Sequence, residues 1–371
     1  MLIQNAQIFL GGKFTKGDIL FRETIKAVGA VERDYLEESF DARGGYVIPG
    51  LVDIHTHGAA GEDFSDGSLD GLHRLSEFYA AHGVTSFLAT TMTLPEQNLS
   101  DAMHAVRAGR NLRGAKCAGV HLEGPFLSDK KKGAQAGEHL RLPDIELFHR
   151  LNDACDGKVR MITVAPELEG VLVFIRAASR VCTVSLGHSA SDYSTAMAAF
   201  DAGASHVTHL FNGMSPFLHR EPGIVGAAFD SGASVELICD GFHIHPSVMR
   251  AMFRLFGKKV NLISDSIRCT GMPEGNYELG GQPVSVKEGR VTMSDGTLAG
   301  SSITLLDAVR NAVRFGIPLK DAVYAASTAP AKAIGLNAGK IEVGLPADLV
   351  VLDKDLNLLA VFVNGRNVSG N

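Results

Sequence analysis

The sequence predicts an α/β fold: a (β/α)8 barrel of the TIM type with a small β-sandwich domain formed by both chain ends. Three observations predict it. Eight short apolar runs alternate with longer helical segments, both ends carry short strands between turns, and potential metal ligands recur where the runs end. The expected boundaries are residues 1–48 and 338–371 for the β domain and residues 49–337 for the barrel.

The two chain ends share a β-rich pattern. Near the start, apolar and polar residues alternate between glycine-containing turns, as at residues 6–9 and 25–28. The tail repeats this pattern at residues 347–352 and 359–363, and Asn364-Gly365 then predicts a hairpin turn. We therefore expect the two ends to pair in one small domain.

The eight apolar runs of the central region are β-rich and short. They span residues 51–55, 85–90, 119–123, 160–164, 183–188, 206–209, 235–240 and 261–265. Helical segments at residues 69–82, 96–110, 145–155, 167–180 and 191–202 connect them, which favours parallel strands that close into a barrel. A doubly wound open sheet is the alternative architecture. It is disfavoured because no Gly-x-Gly-x-x-Gly turn follows an early strand.

Composition and charge favour a protein that acts on small molecules. The 371 residues are 45% apolar and 20% charged, and the net charge of −6 argues against a nucleic-acid or anionic-membrane surface. The start has no basic targeting segment and no apolar run reaches membrane-spanning length, so the predicted location is the cytoplasm. Five scattered cysteines without a Cys-x-x-Cys pair predict reduced packing residues.

Potential metal ligands and one further carboxylate lie at or next to the carboxyl ends of the runs. They are His55, His57, Glu123, His188, His209 and Asp265. A single histidine is usually a structural residue, but a barrel gathers all its strand carboxyl ends on one face. The repeated placement therefore predicts that these side chains converge on a metal centre.

His55-Thr56-His57 places two imidazoles on the same side of an extended strand. Glu123 ends an apolar run just before Gly124-Pro125, where a buried carboxylate would be unfavourable without a cation. Neutral imidazole and carboxylate are common ligands of zinc and iron, so both segments are candidates for metal binding.

His188 and His209 each close an apolar run before a polar loop. With Glu123 they would form a three-ligand site that leaves a position open for water, as catalytic zinc requires. Asp265, taken alone, is equally consistent with a helix N-cap or a turn residue. In the barrel it would face the water, accept its proton and return that proton to the leaving nitrogen.

Several longer motifs make the prediction more specific. They are Pro49-Gly50-Leu51-Val52-Asp53-Ile54-His55-Thr56-His57-Gly58, His121-Leu122-Glu123-Gly124-Pro125-Phe126, Gly187-His188-Ser189, Thr208-His209-Leu210-Phe211-Asn212-Gly213-Met214, Arg220-Glu221-Pro222-Gly223, Asp240-Gly241-Phe242-His243 and Leu298-Ala299-Gly300-Ser301-Ser302. In these motifs the chain resembles the N-acetylglucosamine-6-phosphate deacetylases of the amidohydrolase superfamily over nearly its whole length. The first motif marks only the superfamily, whereas the block from His209 to His243 points to a sugar phosphate.

The resemblance implies metal-dependent hydrolysis of the N-acetyl amide of N-acetylglucosamine 6-phosphate. It implies that Glu123, His188 and His209 hold the main ion, zinc or iron, and that Asp265 is the acid and base. It also implies a homodimer with the phosphate site near the interface. The implied substrate-binding residues are Gln135, Asn212, Gly213, Arg220, His243 and Ile303.

Two positions depart from the pattern of the family. Some members lack the His-x-His pair, so His55 and His57 make a second ion bridged by Glu123 possible here. Gln135 stands where members often carry a histidine that contacts the substrate carbonyl, and an amide can donate a hydrogen bond but cannot carry a proton.

Three alternative functions remain open from the sequence. The substrate could be the galactosamine epimer, or the chain could be a cyclic-amide hydrolase or deaminase for an uncharged substrate. Many cyclic-amide hydrolases carry a lysine at the end of the fourth strand, where this chain has Thr163-Val164-Ala165. A scaffold without catalysis is the third alternative, and the retention of all the ligand candidates weighs against it.

Overall fold

The computed structural model describes residues 1–31 and 38–369. The first strands of the chain contain both buried and exposed side chains. They are β1 (Leu2–Leu10), β2 (Lys13–Phe21), β3 (Ile25–Gly29), β4 (Ser39–Asp41) and β5 (Tyr46–Pro49).

The central region alternates strands with helices. Its elements are β6 (Leu51–Thr56), β7 (Gly58–Ala59), β8 (Glu62–Asp63), α1 (Leu69–Ala81), β9 (Val84–Thr91), α2 (Glu96–Ala108), β10 (Lys116–Glu123), α3 (Ile145–Ala154), β11 (Val159–Val164), α4 (Val171–Ala178), β12 (Thr183–Leu186), α5 (Tyr193–Asp201), β13 (His206–Val207), α6 (Gly223–Ser231), β14 (Ser234–Ile238), α7 (Pro246–Phe256) and β15 (Val260–Ile263).

Eight of these strands form one parallel sheet in the order β6-β9-β10-β11-β12-β13-β14-β15. At its open edge, the Asp265 N–H donates to the His55 carbonyl over 3.0 Å and the His57 N–H donates to the Ser266 carbonyl over 2.8 Å. These bonds join the carboxyl ends of the first and last strands. The eight predicted runs and the barrel are thereby confirmed, and the doubly wound sheet is excluded.

The strands before His188, His209 and Asp265 end earlier than the predicted apolar runs. β12 stops at Leu186, β13 at Val207 and β15 at Ile263, although the runs extend to residues 188, 209 and 265. His188, His209 and Asp265 have positive φ angles of 46°, 25° and 49°. A residue in that left-handed region leaves the pleated ladder, so each of these strands ends before its predicted site residue.

The rest of the chain adds an inserted sheet, three helices and the C-terminal strands. The elements are β16 (Gly275–Leu279), β17 (Gln282–Lys287), β18 (Arg290–Met293), α8 (Leu305–Arg314), α9 (Leu319–Ala326), α10 (Thr328–Ala333), β19 (Leu349–Leu352), β20 (Leu358–Val363) and β21 (Arg366–Asn367). The sequence did not predict β16–β18. This antiparallel sheet packs Leu279, Val284 and Val291 against Met92 and Ala134 beside the barrel mouth.

The two chain ends share a single eight-stranded sheet, as expected. Its order is β21-β20-β19-β5-β1-β2-β3, with β4 paired to β1, and β5 meets β19 in an antiparallel ladder. Its own core includes Ile3, Ile19, Val47, Leu349 and Phe362. The division at residues 48 and 338 stays a prediction.

None of the helices in the described part of the chain combines the length and apolar character needed to cross a membrane. The interior of the barrel has a buried apolar core. It includes Val52, Ile54, Leu88, Ile238 and Ile263. This core holds the loops that follow the strands in fixed positions, and those loops carry the candidate site.

Candidate active site

A cavity of about 290 Å³ opens at the carboxyl ends of the barrel strands. Predicted site residues from six of the strand-end loops line it. They are His57, Glu123, Gln135, His188, His209, Asn212, Gly213, His243 and Asp265. His55 lies directly beneath, fully buried. The expected convergence of the ligand candidates is therefore present in the fold.

Glu123 lies at the centre of the cluster. Its Oε1 is 3.1 Å from Nε2 of His188 and 2.9 Å from Nε2 of His209, and these two ring nitrogens are 3.0 Å apart. Its Oε2 is 3.2 Å from Nε2 of His57. His55 Nε2 lies 3.4 Å from Oε1 and 3.3 Å from His57 Nε2. Oε1 thus faces His55, His188 and His209, and Oε2 faces His57.

Asp265 completes the cluster on the side of His55 and His57. Its Oδ1 lies 3.5 Å from Nε2 of His55 and 3.5 Å from Nε2 of His57. Burial alone would raise the pKa of Asp265, but the neighbouring His55, His57 and His209 outweigh burial and lower it. The carboxyl group is therefore ionised and able to accept a proton.

The outer ring nitrogens show which nitrogen of each histidine faces the cluster. Nδ1 of His188 lies 3.0 Å from the Lys131 carbonyl, and Nδ1 of His55 lies 2.8 Å from Oε2 of Glu236. Both partners only accept hydrogen bonds, so Nδ1 donates to them and Nε2 is the nitrogen that faces the cluster. This is the arrangement of histidines that ligate metals.

The charges of the cluster also fit a divalent cation. Burial favours neutral His57, yet hydrogen bonds to Asp265 and Glu123 raise the pKa of His57 to about 9. Burial would likewise raise the pKa of Glu123, but His55 and His188 hold it well below its usual range. The buried carboxylates are therefore stable only beside positive charge. A divalent ion bound to the histidine nitrogens and carboxylate oxygens of the cluster would supply that charge.

Backbone strain is concentrated at the same residues. His188, His209 and Asp265 adopt the left-handed backbone conformation. Because they are not glycine, this conformation costs about 1–3 kcal/mol for each residue. Backbone hydrogen bonds hold these turns: the Ser301 N–H donates to the Asp265 carbonyl over 2.7 Å, and the Asn212 N–H donates to the His209 carbonyl over 2.9 Å. Strain of this kind is typical of residues placed for function.

Gln135 is fixed in the wall of the cavity by hydrogen bonds at both ends of its amide. Its Oε1 accepts the Thr93 N–H over 2.7 Å, and its Nε2 donates to Oε2 of Glu123 over 2.7 Å. The first bond assigns the oxygen and nitrogen positions of the amide. One N–H of Nε2 therefore remains available for another acceptor.

Asn212 and Gly213 follow His209 in a tight turn. The Asn212 amide donates to the carbonyls of His209 and Leu210 over 3.2 and 3.3 Å. Gly213 has φ of 58°, and a Cβ there would lie only 3.0 Å from His188 Nδ1. An alanine at position 213 would have to displace the His188 ring by a few tenths of an ångström.

The remaining predicted substrate-binding residues divide between the cavity and other places. His243 lines the cavity, and its Nδ1 lies 2.6 Å from Oδ2 of Asp240. Arg220 does not line it: this exposed side chain lies in a separate groove beside Tyr193, with Nη1 2.5 Å from Nε2 of His219. Ile303 is half-buried against the barrel core and also lies outside the cavity lining.

Sequence reasoning missed a buried charged residue below the site. Glu236 on β14 is fully buried, and its carboxylate contacts His55 and His206 and accepts the His209 N–H. Burial would raise the pKa of Glu236, but His55 and His206 hold it well below its usual range. The available signal was a single acidic residue inside the apolar run Val235-Glu236-Leu237-Ile238.

Known proteins are similar to this chain in sequence and in fold. A family model described as the amidohydrolase family matches residues 46–368. An N-acetylglucosamine-6-phosphate deacetylase of Bacillus subtilis (strain 168) is 39% identical over 86% of this chain and 84% of its own length. An N-acetylgalactosamine-6-phosphate deacetylase of Escherichia coli O157:H7 is 37% identical over 87% of this chain and 88% of its own length.

A solved structure extends the similarity to the whole chain. It is a variant of the N-acetyl-D-glucosamine-6-phosphate deacetylase of Mycobacterium smegmatis in complex with N-acetyl-D-glucosamine 6-phosphate. Its TM-score is 0.94 and its identity 34%, and the match covers 100% of this chain and 99% of that one. These similarities confirm the resemblance seen in the motifs. The chain belongs to the amidohydrolase family and, within it, to the N-acetylglucosamine-6-phosphate deacetylases.

Proposed function

We propose that this protein hydrolyses the N-acetyl amide of N-acetylglucosamine 6-phosphate to acetate and glucosamine 6-phosphate. One observation carries the proposal: Glu123, His188, His209 and Asp265 meet in a single cavity at the carboxyl face of the barrel. That placement supplies metal ligands and a buried carboxylate in a chain whose family performs this hydrolysis. Family membership also argues against the cyclic-amide hydrolase, the deaminase and the scaffold without catalysis.

Glu123, His188 and His209 would hold the main divalent ion, zinc or iron. The pair His55 and His57, together with Glu123, would hold a second. An ion bound there would polarise an amide carbonyl and lower the pKa of water. The inward-facing Nε2 atoms and the negative charge of the cluster support this assignment.

Asp265 would transfer the proton in both halves of the reaction. As the general base it accepts a proton from the attacking water, whose oxygen forms a bond to the acetyl carbon. As the general acid it returns that proton to the sugar nitrogen while the C–N bond breaks. One water is consumed, and acetate and the amine are released. Its backbone bonds to His55 and Ser301 hold the carboxylate in place for this role.

Gln135 would bind the acetyl carbonyl. Its amide is oriented by Thr93 and Glu123, so its remaining N–H can donate to a carbonyl oxygen in the cavity. An amide has no proton to transfer near neutral pH, so its part is limited to orientation and polarisation.

Phosphate recognition would involve His243 and Arg220, with Asn212 and the Gly213 backbone close by. Arg220 lies outside the cavity of its own chain, and Phe217 and Leu218 in the same loop are 49% and 47% exposed. These features support a homodimer in which the loop meets a second copy near the phosphate site. The contribution of Ile303 and the cytoplasmic location stay predictions.

The galactosamine epimer is the second candidate substrate, favoured by the 37% identical relative named as a deacetylase of N-acetylgalactosamine 6-phosphate. The test is a comparison of kcat/KM for both epimers, each with and without the 6-phosphate. We expect the highest value with N-acetylglucosamine 6-phosphate. A higher value with the galactosamine epimer would overturn the assignment of the sugar, and no gain from phosphate would overturn the assignment to sugar phosphates.

A further inference from the structure

Glu236 is a buried carboxylate that the proposed reaction does not use. It projects from β14 into the barrel interior and has no exposed surface. An ionised carboxylate in such a place is strongly unfavourable unless charged or hydrogen-bonded partners compensate it. The groups that contact Glu236 therefore indicate its role.

Those partners belong to both halves of the ligand cluster. Oε2 of Glu236 lies 2.8 Å from Nδ1 of His55 and also accepts the backbone N–H of His209 over 3.1 Å. Oε1 lies 3.3 Å from Nε2 of His206. One oxygen thus contacts His55 of the His-x-His pair and the backbone of His209, a ligand of the main site.

Each contact has a defined physical consequence. A carboxylate acceptor at Nδ1 fixes the tautomer of His55, turns its Nε2 toward the cluster and makes that nitrogen a stronger ligand. The bond to the His209 N–H holds a residue whose φ of 25° is strained. The Lys131 carbonyl, by contrast, contacts the ring of His188 from outside the cluster.

We propose that Glu236 is a positioning residue of the metal centre, which sets the affinity for the ion at the His55 and His57 position. The inference rests on the two-ion form of the proposed function. We expect Glu236 to affect the main ion less. Among the ligands of that ion it contacts only the backbone of His209, and Glu123 and His188 are held by other contacts.

The substitution Glu236→Gln tests this with little change in shape. Glutamine can still accept the His55 N–H but lacks the negative charge that strengthens the bond. Glu236→Asp retains the charge and shortens the side chain, so it loses the 2.8 Å contact. Thr163→Val is the matched control. Thr163 is equally buried in the barrel, and its hydroxyl contacts His121 and Thr208 but no ring of a proposed ligand.

The measurement is a calorimetric titration of metal-free protein with Zn²⁺, with bound zinc counted by elemental analysis. A double variant, His55→Ala with His57→Ala, identifies the binding event at that pair. We expect two ions in wild type and in Thr163→Val. In Glu236→Gln and Glu236→Asp we expect the affinity of the identified event to fall about tenfold to a hundredfold, and that of the other less than threefold.

The outcomes separate the inference from the proposed function. Wild-type protein that binds one ion would overturn the second ion and this role of Glu236 together. Two ions in wild type with unchanged affinities in both Glu236 variants would overturn the inference alone. Equal losses at both events, or the same loss in Thr163→Val, would also overturn it, because they would mean general damage to the barrel. Circular dichroism checks folding, and the aspartate variant is measured if the glutamine variant does not fold.

Discussion

The side-chain amide of Gln135 donates a 2.7 Å hydrogen bond to Oε2 of Glu123, the carboxylate oxygen that faces His57. The amide is oriented by the Thr93 N–H, so the donor cannot rotate away without losing a second bond. A neutral, non-titrating group therefore sits against the central carboxylate of the cluster.

This relationship predicts a change in pH dependence when a titrating ring replaces the amide. Gln135→His should keep a donor near the substrate carbonyl and add a group with an ordinary pKa of about 6.5. We expect the pH profile of kcat to gain a limb between about pH 5 and 8 that wild type lacks. Profiles measured from pH 5 to 9 provide the check. Superimposable profiles would show that residue 135 does not contact the reacting group.

Removal of the proton acceptor should abolish most of the turnover. Asp265→Asn retains the size of the side chain but cannot accept the water proton, so kcat should fall by at least about a hundredfold while metal remains bound. Steady-state kinetics and elemental analysis measure the two effects. Asp66→Asn, at an exposed residue paired with Arg268, is the control that should retain full turnover. Near-normal turnover in Asp265→Asn would remove it from the acid and base role.

Loss of a central ligand should remove metal and activity together. Glu123 contacts His57, His188 and His209, so Glu123→Gln should lower zinc occupancy after dialysis, and His188→Ala should act in the same way. Glu62→Gln, at the ion pair with Arg74 outside the cluster, serves as the control. Full zinc occupancy in both ligand variants would contradict this ligand set.

Arg220 should matter only for substrates that carry phosphate. Loss of a charge-assisted bond costs on the order of 1.5–3 kcal/mol, so Arg220→Ala should lower kcat/KM for the phosphorylated sugar by roughly ten- to a hundredfold or more. The unphosphorylated sugar should be affected far less, since it never makes the contact. Comparing both substrates on both proteins isolates the coupling between Arg220 and the phosphate.

A control variant and the oligomeric state complete this test. Arg150→Ala removes a cation that pairs with Glu96 on the outer helices and should change neither substrate. Sedimentation of wild type should show a dimer, because Arg220 does not reach the cavity of its own chain. Equal losses on the two sugars would mean that Arg220 does not recognise phosphate.

The sequence was sufficient for the barrel because its strands are buried and apolar. Each of the eight runs became a strand, and the ligand candidates met because strand ends converge. The strand boundaries at residues 188, 209 and 265 were overestimated, since apolar periodicity carries no signal for a left-handed turn. The sheet of β16–β18 was missed because its short, half-exposed strands have only weak patterns.

Other features depend on contacts that a linear pattern does not contain. In the sequence Glu236 is an isolated acidic residue, and only the fold shows its contact with His55, which lies 181 positions earlier in the chain. Arg220 was predicted at the phosphate, but its side chain lines a groove separate from the cavity. A position that the proposed dimer would share between two copies cannot be located from one sequence.

The left-handed turns at His188, His209 and Asp265 also connect metal supply to the lifetime of the folded protein. These strained turns and the buried carboxylate beside them oppose folding, and an ion that binds only the folded chain offsets that opposition. The stabilisation grows with the logarithm of the free ion concentration, by about 1.4 kcal/mol for each tenfold increase above the dissociation constant. Resistance to heat and proteolysis would therefore rise and fall with the availability of the metal.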